Sequence, residues 1–387
     1  MEQTAQFYLI YPLGLVDQGL DELKEKWELH FKDCPLSILS VDEGGILLSA
    51  TTLQGFLLNH LLRTPTRILM RIAEFKARDF PKLFQKISKI PWKSLMIGQA
   101  PEVVAAATNS RLFDSRKIAK AVQDGILESY RKQPVKKKYL DHLEANKTAE
   151  LPKVYYRAVD DVITISLDTT GEILHKRGDK IYTGLAPIRE NLAALLLMAT
   201  TKNLPPNISK EELTLIDPMS GSGTFLIEGH DYFSVNTERE FAYQHTPLWI
   251  DVALKKKVMD ELQGRPSPFL KLQGFEINPE VIELARKNAE GKKINFTQSD
   301  LFSEENSLVG KNVVVINPPY GLRVGEKEEI NLDYYKKIIS MIKKKYLPVR
   351  LGIIIPEEHK FTPKKEELIA RLPFKNGGLP VVFYILT

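Results

Sequence analysis

A short apolar run that ends at two prolines constrains the fold of this chain more than any other stretch. Residues 313–316 are three valines and an isoleucine, and Asn317-Pro318-Pro319-Tyr320 follows directly. An unbroken β-branched run is typical of a strand that is buried on both faces, as in parallel sheets. Proline has no backbone N–H for a sheet ladder, so the chain leaves the sheet at Pro318. The pattern therefore predicts an α/β fold with these four residues at the carboxyl edge of a parallel sheet, where such folds bind ligands.

The same four residues suit the binding of an exocyclic amine. The Asn317 carboxamide oxygen and the Pro318 carbonyl oxygen can accept the two amine hydrogens. Pro319 makes the corner rigid, and the Tyr320 ring can stack on the base that carries the amine. An ordinary strand-to-loop turn is the alternative for Asn-Pro taken alone, because this dipeptide often begins turns.

Residues 213–228 form the strongest single motif of the chain. A predicted strand ends at Asp217, a turn of small residues follows, and a helix begins near Thr224. Gly221 and Gly223 allow the backbone to approach a ligand closely. The turn matches neither the GxGxxG fingerprint nor a P-loop, and an acid at the strand end would repel phosphate. It suits a cationic amino-acid head group, and a plain strand–glycine–helix turn is the alternative.

A second acid ends the next predicted strand. The strand at 271–275 ends at Glu276, the usual position of a ribose-hydroxyl ligand in doubly wound nucleotide sites. Glu276 lies 53 residues beyond Gly223, whereas the usual gap is ~20 residues, which predicts an insertion at 231–268. Glu238 and Glu240 lie nearer to the usual distance, but no predicted strand precedes them.

A third acid follows the predicted strand at 294–298. The Asp300 carboxylate can accept a hydrogen bond from an adenine N6 amine, with Leu301 or Phe302 against the ring. A helix N-cap at Asp300 is the alternative, and the two roles can coexist.

The order of predicted elements divides the chain into three parts. Residues 1–70 follow a β-α-β-β-α-β order, which predicts a ferredoxin-like module. Residues 71–170 form a second α+β unit with a long helix at 115–130 and a polar loop at 133–151. After a short predicted strand at 173–177, strands and helices alternate through residues 180–387.

The second part carries exposed basic residues that suit contacts with phosphate. The candidates are Arg111, Arg116, Lys117, Lys120, Lys136, Lys137 and Lys138. A solvated, solubilising face is the alternative for such a charge run.

Composition limits the remaining possibilities. The net charge of +5 and the pI near 8.9 allow a polyanionic partner without requiring one. A single cysteine, Cys34, excludes an intrachain disulfide. No apolar run approaches the ~18 residues of a membrane span, and the first residues lack a basic signal region. The seven histidines show no metal-ligand spacing. We therefore expect a cytoplasmic protein, a monomer, with neither a metal nor a membrane partner.

Together the motifs resemble those of S-adenosylmethionine-dependent methyltransferases. The residues that carry the resemblance are Asp217-Pro218-Met219-Ser220-Gly221-Ser222-Gly223-Thr224, Glu276, Asp300 and Asn317-Pro318-Pro319-Tyr320-Gly321-Leu322-Arg323. The whole chain is similar to THUMP-domain RNA guanine-N2 methyltransferases, in particular to the N-terminal half of bacterial 23S rRNA enzymes of the RlmL type. Lys176-Arg177-Gly178, residues 186–194 and the 111–130 stretch, which looks like the THUMP helix, extend the match.

The resemblance implies a fold and a set of roles. It implies a Rossmann-like class I methyltransferase domain at 180–387, a mostly parallel seven-stranded sheet with an antiparallel edge hairpin, preceded by a ferredoxin-like module and a THUMP RNA-binding domain. Asp217 and the glycines would hold the methionine moiety, Glu276 the ribose and Asp300 the adenine. The full implied cofactor set is Asp217, Met219, Gly221, Gly223, Thr224, Glu276, Ile277, Asp300, Leu301 and Asn317. Asn317, Pro318, Pro319 and Tyr320 would grip the target guanine, and Arg323 would neutralise either a phosphate or Glu190.

The expected activity is methylation of a guanosine N2 amine in RNA, most simply 23S rRNA. The chain stops at Thr387 without the second methyltransferase half of some fused relatives, so we expect one activity. Ser220 stands where relatives often carry cysteine. Three alternatives stay open at this point: a tRNA guanine-N2 enzyme, a DNA adenine-N6 or protein glutamine methyltransferase, and a non-catalytic RNA-binding assembly factor.

Overall fold

The structure is a computed structural model that describes residues 4–97, 100–132, 134–177, 188–253, 255–303, 310–321 and 330–387. These residues fall into two units. The first unit comprises the residues before Pro12 together with Lys26–Leu174 and Asn236–Leu262. The second comprises Pro12–Glu25, His175–Val235 and Gln263–Thr387.

Strands and helices are numbered here in chain order. The strands are β1 (Thr4–Ile10), β2 (Ser37–Asp42), β3 (Gly45–Thr51), β4 (Arg67–Lys76), β5 (Val103–Thr108), β6 (Val154–Val159), β7 (Val162–Asp168), β8 (Thr214–Asp217), β9 (Lys271–Glu276), β10 (Asn295–Gln298), β11 (Asn312–Ile316), β12 (Arg350–Pro356), β13 (Leu368–Asn376) and β14 (Leu379–Leu386). The α-helices are α1 (Val16–His30), α2 (Thr52–Leu61), α3 (Phe80–Ser88), α4 (Ser115–Lys132), α5 (Lys137–Ala145), α6 (Glu190–Thr201), α7 (Thr224–His230), α8 (Pro247–Ile250), α9 (Lys255–Asp260), α10 (Pro279–Asn288) and α11 (Leu332–Tyr346). Short 3-10 helices lie at Trp92–Ser94, Lys210–Glu212, Ala242–His245 and Glu357–His359.

The first unit is built on one sheet in the order β2-β3-β1-β4-β7-β6-β5. All its neighbouring strands are antiparallel except β5 and β6, which run parallel. Strand β4 pairs with β1 on one side and with β7 on the other. The predicted modules at 1–70 and 71–170 therefore share a sheet, and their predicted boundary falls inside β4.

Local signals explain where the helices of this unit begin and how they pack. Helix α2 starts at a capping box, in which Thr51 and Gln54 exchange hydrogen bonds of 3.2 and 3.0 Å. Helix α4 packs closely on α3 at Gly125, because a Cβ there would lie 2.8 Å from Ile87. A larger residue at 125 would force the two helices apart.

Two predictions for the connecting segments are wrong. The stretch at 133–151, predicted as a loop, contains α5. Although the stretch is rich in lysine, Tyr139 of α5 is buried, and its hydroxyl donates to Asp251 at 2.6 Å. The strand predicted at 173–177 is a turn region, where Leu174 donates a single backbone hydrogen bond to Thr66 instead of forming a ladder.

The predicted insertion contributes to the first unit. Its residues Asn236–Leu262 pack there, although the chain on either side belongs to the second unit. Tyr243 is fully buried and stacks on Phe56 of α2, with ring centroids 4.5 Å apart. His60 of α2 bonds to the Asn236 carbonyl and to the Tyr243 hydroxyl, and burial lowers its pKa to about 4. The neutral imidazole is thus a structural link between α2 and the insertion.

The second unit is built on a mixed seven-stranded sheet in the order β10-β9-β8-β11-β12-β14-β13. The first five strands run parallel, while β14 is antiparallel to both β12 and β13. Every residue of β11 and β12 is buried, as their apolar runs predict. Strands β13 and β14 are joined by Gly377-Gly378, whose φ angles of 57° and 88° are those of a tight hairpin turn.

The strand order reverses at β8, which has β9 on one side and β11 on the other. Strands β9 and β10 extend the sheet in one direction, and β11 and β12 extend it in the other. In open α/β sheets, ligands bind at the carboxyl ends of the strands at such a reversal. The ends of β8 and β11, at Asp217 and Asn317, lie at this point.

Candidate active site

A cavity of about 490 Å³ lies at the carboxyl ends of β8, β9, β10 and β11. Its volume is within the range of small-molecule sites, ~300–1,000 Å³. The lining consists of Ile188, Asp217, Pro218, Met219, Ser220, Gly221, Ser222, Thr224, Phe225, Glu276, Ile277, Asn278, Val281, Ser299, Asp300, Leu301, Phe302, Asn317, Pro318, Pro319 and Tyr334. The sheet therefore gathers the acids and the amide that the sequence predicts, because neighbouring parallel strands end at the same edge.

Asp217 is the most deeply buried acid of the cavity, with 2% of its surface exposed. Burial raises its pKa to about 8, a backbone hydrogen bond from Met219 partly opposes this, and the nearby Glu276 charge raises it further. A cation placed against this carboxyl would favour its charged form. The position is therefore suited to an ammonium group.

The turn after β8 is held open by its glycines. Gly221 and Gly223 adopt φ angles of 51° and 86°, which favour glycine. A Cβ at Gly223 would also lie 2.9 Å from the Phe296 ring. Gly223, which the sequence analysis places in the cofactor set, is not among the residues that line the cavity. Ser220 lines the cavity, and its Oγ atom is buried without a hydrogen-bond partner among the described residues.

The carboxylate of Glu276 is fixed by two backbone donors. Its Oε2 accepts from Gly221 at 3.1 Å and its Oε1 accepts from Asn278 at 3.0 Å. A carboxylate has about four acceptor positions, so both oxygens can still accept from ligand hydroxyls.

Asp300 caps a local turn and lines the cavity, and no helix begins there within the described residues. Its Oδ1 accepts from the Phe302 backbone at 2.9 Å, which is a local turn cap. The residue is also exposed and lines the cavity. Leu301 and Ile277, both in the predicted cofactor set, line the cavity as well.

The corner after β11 differs from the sequence expectation at Tyr320. Asn317, Pro318 and Pro319 line the cavity, as predicted. The Tyr320 ring does not line it and is only 8% exposed. Its hydroxyl donates to Asn317 Oδ1 and accepts from Asn376 Nδ2 at 3.0 Å, while the Tyr335 hydroxyl donates to the Pro319 carbonyl at 3.0 Å. In this arrangement the Tyr320 hydroxyl bonds to the Asn317 side chain, while Tyr320 itself lies outside the cavity lining.

Sequence reasoning missed Tyr334, an aromatic residue of the cavity wall. It lies in the first turn of α11 with its ring centroid 6.1 Å from that of Phe302. The neighbouring Tyr335 is fully buried in the core, and nothing in the sequence distinguishes the two tyrosines. Ile188, just before α6, also lines the cavity and was not among the predicted site residues.

The predicted RNA-binding residues of the first unit all lie on its surface. Arg111, Arg116, Lys117, Lys120, Lys136, Lys137 and Lys138 are exposed. Lys138 is engaged by Asp251 at 2.6 Å. Arg323 lies outside the described residues, so its predicted pairing with a phosphate or with Glu190 is not tested. Phe113, which the sequence analysis did not single out, is 77% exposed beside this basic group.

The described residues contain neither a candidate membrane span nor a candidate metal site. None of their helices has the length and apolar character to cross a bilayer. Within the same ranges, no group of three or more histidine, cysteine, aspartate or glutamate side chains is arranged to hold a metal ion.

Comparison with known proteins identifies the family. Residues 177–375 match the model of the UPF0020 family, described as the RMKL-like methyltransferase domain. This chain belongs to that family. The prediction of a methyltransferase with an α/β fold is therefore confirmed.

Relatives that match most of the chain carry related names. The chain is 32% identical over 305 residues to the candidate RNA methyltransferase YpsC of Bacillus subtilis, covering 76% of each chain. It is 30% identical to the candidate RNA methyltransferase slr0064 of Synechocystis, covering 81% of each. It is 25% identical to the ribosomal RNA large subunit methyltransferase K/L of Colwellia psychrerythraea, covering 98% of this chain and 52% of that one. The chain thus spans about half the length of the K/L relatives it matches.

Solved structures share the fold from end to end. A candidate methylase from Clostridium difficile superposes with a TM-score of 0.75 at 24% identity, covering 99% of this chain and 98% of that one. SMU.472, a candidate methyltransferase solved in complex with SAH, superposes with a TM-score of 0.76 at 22% identity, covering 100% and 98%.

Proposed function

We propose that the protein transfers a methyl group from S-adenosylmethionine to the N2 amine of a guanosine in RNA, with 23S rRNA as the first substrate to test. One observation carries the proposal. Asn317 and Asp217 end adjacent strands at the reversal of the sheet and line the same cavity. An amine-binding corner and an ammonium-binding acid are therefore neighbours. The names of the K/L, YpsC and slr0064 relatives support RNA as the substrate class.

The cavity fits the cofactor by its donors and acceptors. When bound, S-adenosylmethionine supplies a methyl group on a positively charged sulfonium, which is a strong electrophile. The buried Asp217 carboxyl would take the cofactor ammonium. Glu276 would accept from the ribose hydroxyls and Asp300 from the adenine amine. Met219, Thr224, Ile277 and Leu301 complete the set on the walls.

The Asn317–Pro318 corner would act on the target amine. The lone pair of a guanine N2 amine is delocalised into the ring, which makes it a poor nucleophile. Acceptors at Asn317 Oδ1 and the Pro318 carbonyl bind both amine hydrogens and favour a tetrahedral nitrogen as positive charge develops. Holding the amine in line with the methyl donor can contribute several kcal/mol to lowering the barrier, ~7–11 kcal/mol in ideal cases. A guanosine in a helix has to be flipped out to reach this corner, which costs a few kcal/mol.

We assign RNA binding to the first unit, with its THUMP-like part at residues 71–170. Phe113 is 77% exposed, and Arg111, Arg116 and Lys117 surround it in the chain. Exposed aromatic rings among cations bind single-stranded nucleic acid by stacking and by phosphate contacts. The contacts of this surface would help to offset the cost of extracting the target base.

Methyl transfer from labelled S-adenosylmethionine tests the proposal. Purified protein is incubated with unmodified rRNA, tRNA and duplex DNA, and digested products are analysed for N2-methylguanosine. Label in N2-methylguanosine of rRNA is expected. Label confined to tRNA would change the substrate, whereas N6-methyladenine in DNA or no transfer at all would overturn the proposal.

The Asn317→Ala variant separates the two halves of the site. Transfer should fall by at least ~100-fold, because the amine loses its acceptor at the reacting nitrogen. Cofactor affinity, measured by calorimetry, should stay within a few-fold of the wild-type value. A large loss of cofactor affinity would contradict the division of labour between Asn317 and Asp217.

A further inference from the structure

We infer that Tyr320 and Asn376 are positioning residues that fix the orientation of the Asn317 carboxamide through a chain of two hydrogen bonds. Asn376 Nδ2 donates to Tyr320 Oη at 3.0 Å, and Tyr320 Oη donates to Asn317 Oδ1. The inference rests on the proposed function, since it concerns the side chain that would accept the target amine.

The chain has a defined direction. A tyrosine hydroxyl carries one proton, and the Asn376 amide fills one of its acceptor positions with an N–H. The proton of Tyr320 is then directed to Asn317 Oδ1. If the Asn317 carboxamide turned over, its NH₂ group would face the hydroxyl, and the buried Tyr320 proton would lose its acceptor. An amide oxygen has two acceptor positions, so a hydrogen bond from Tyr320 does not by itself exclude an amine hydrogen of the target.

Burial separates this role from base stacking. Tyr320 and Asn376 are each 8% exposed, and neither lines the cavity. The Tyr335 hydroxyl, which donates to the Pro319 carbonyl at 3.0 Å, fixes the same corner from the α11 side. The corner is thus held by hydrogen bonds at two points, Asn317 Oδ1 and the Pro319 carbonyl.

Asn376 comes from a distant part of the chain. It is the last residue of β13, directly before the Gly377-Gly378 turn of the edge hairpin. The edge hairpin therefore has a specific task at the site: it delivers the amide that orders Tyr320. Phe374 and Asn376 are buried and Lys375 between them is exposed, so Asn376 lies on the buried face of β13.

The Tyr320→Phe variant distinguishes positioning from stacking, because it keeps the ring and removes the hydroxyl. We expect kcat to fall about 10- to 100-fold, since small misplacements of reacting groups have effects of this size. The KM for RNA and the Kd for the cofactor should stay within about twofold. A stacking ring would survive the substitution, so a wild-type kcat for Tyr320→Phe would overturn the inference.

The Asn376→Asp variant tests the direction of the chain. A carboxylate accepts but does not donate, so it would draw the Tyr320 proton away from Asn317. Its kcat should fall like that of Tyr320→Phe, and the double variant should lose no more than the worse single variant. Additive losses would mean that the two residues act separately and would overturn the inference.

Tyr384→Phe is the matched control. Tyr384 is a buried tyrosine of the same unit, 4% exposed, and its hydroxyl donates to the Phe361 carbonyl at 2.9 Å. Its loss should lower stability without changing kcat. A crystal structure of Tyr320→Phe provides a readout that does not depend on activity: an unchanged Asn317 carboxamide would overturn the inference even if the enzyme acts on another substrate. Absence of N2-methylguanosine in the wild-type reaction would instead reject the proposed function.

Discussion

At the scale of single residues, burial of the Asp217 carboxyl makes the stability of the folded protein depend on pH. The unfolded chain ionises this residue near pH ~4, whereas burial raises its pKa in the folded protein to about 8. Between these values the folded state holds a proton that the unfolded state has lost. Its contribution to stability therefore falls as pH rises through this window. A cationic ligand at the site would reverse the effect.

The Asp217→Asn variant should remove this pH dependence, because its amide does not ionise. Between pH 5 and pH 8, the thermal midpoint of the wild type should fall relative to that of the variant, as measured by calorimetry without cofactor. Asp333→Asn, at an exposed acid of α11, serves as the control and should keep the wild-type slope. Parallel curves for the wild type and Asp217→Asn would show that Asp217 is ionised in the folded state.

At the scale of elements, the loop between β5 and α4 presents Phe113 on a rigid frame. Asp161, at the tip of the β6–β7 hairpin, accepts from the Arg111 backbone at 2.8 Å and from Arg78 Nε at 2.8 Å. The Ser110 hydroxyl accepts from the Asp161 backbone at 3.1 Å, and Asn109 donates to Asp160. Because the loop is already ordered, little conformational entropy remains to be lost when a base stacks on the ring.

Phe113→Ala should weaken RNA binding by about 5- to 150-fold, which corresponds to the ~1–3 kcal/mol of a stacked base. Stability should not change, since the ring is 77% exposed. Leu39→Ala, at a residue of the same unit that is 47% exposed and lies on β2, is the matched control for loss of apolar surface. Filter binding of a single-stranded rRNA fragment gives the comparison, and Phe113→Trp should retain affinity. Equal affinities for wild type and Phe113→Ala would exclude a stacking contact.

The same scale shows what sequence reasoning can reach. Strand β11 was predictable because its run of buried residues stops at prolines, and Asp217, Glu276 and Asp300 were predictable because each follows a strand. Helix α5 was not, since its single buried anchor, Tyr139, bonds to a residue 112 positions away. The Asn376–Tyr320 contact spans 56 positions and depends on how the edge hairpin folds back. The residue pattern of the sequence shows the periodicity of an element and where a strand ends. Contacts between side chains that are distant in sequence can be identified only in the folded structure.

At the scale of the whole molecule, the insertion belongs to a different unit from the residues that flank it in the sequence. Residues 180–387 were predicted as one domain, yet Asn236–Leu262 packs with the first unit. Phe241, Tyr243 and Trp249 of this segment are at most 5% exposed. The two ends of the segment lie close together, because a Cβ at Gly264 would be 3.1 Å from the Phe233 carbonyl, and Arg265 donates to that carbonyl at 3.1 Å. The segment can therefore be excised and the residues that flank it can be joined by a short linker.

Replacing Asn236–Leu262 with two glycines should affect the two units differently. The first unit loses the aromatic cover of Phe56 and the partners of His60, a loss of several kcal/mol, given the ~3–5 kcal/mol typical of removing one buried large aromatic side chain. Its unfolding should move to lower temperature and RNA affinity should fall. All residues that line the cavity lie outside the excised segment, so cofactor affinity by calorimetry should be retained. The Tyr243→Phe variant, which keeps the stacked ring and loses only the bond to His60, should show a much smaller shift. Loss of cofactor binding in the excised protein, with RNA affinity intact, would reverse the assignment of the two units.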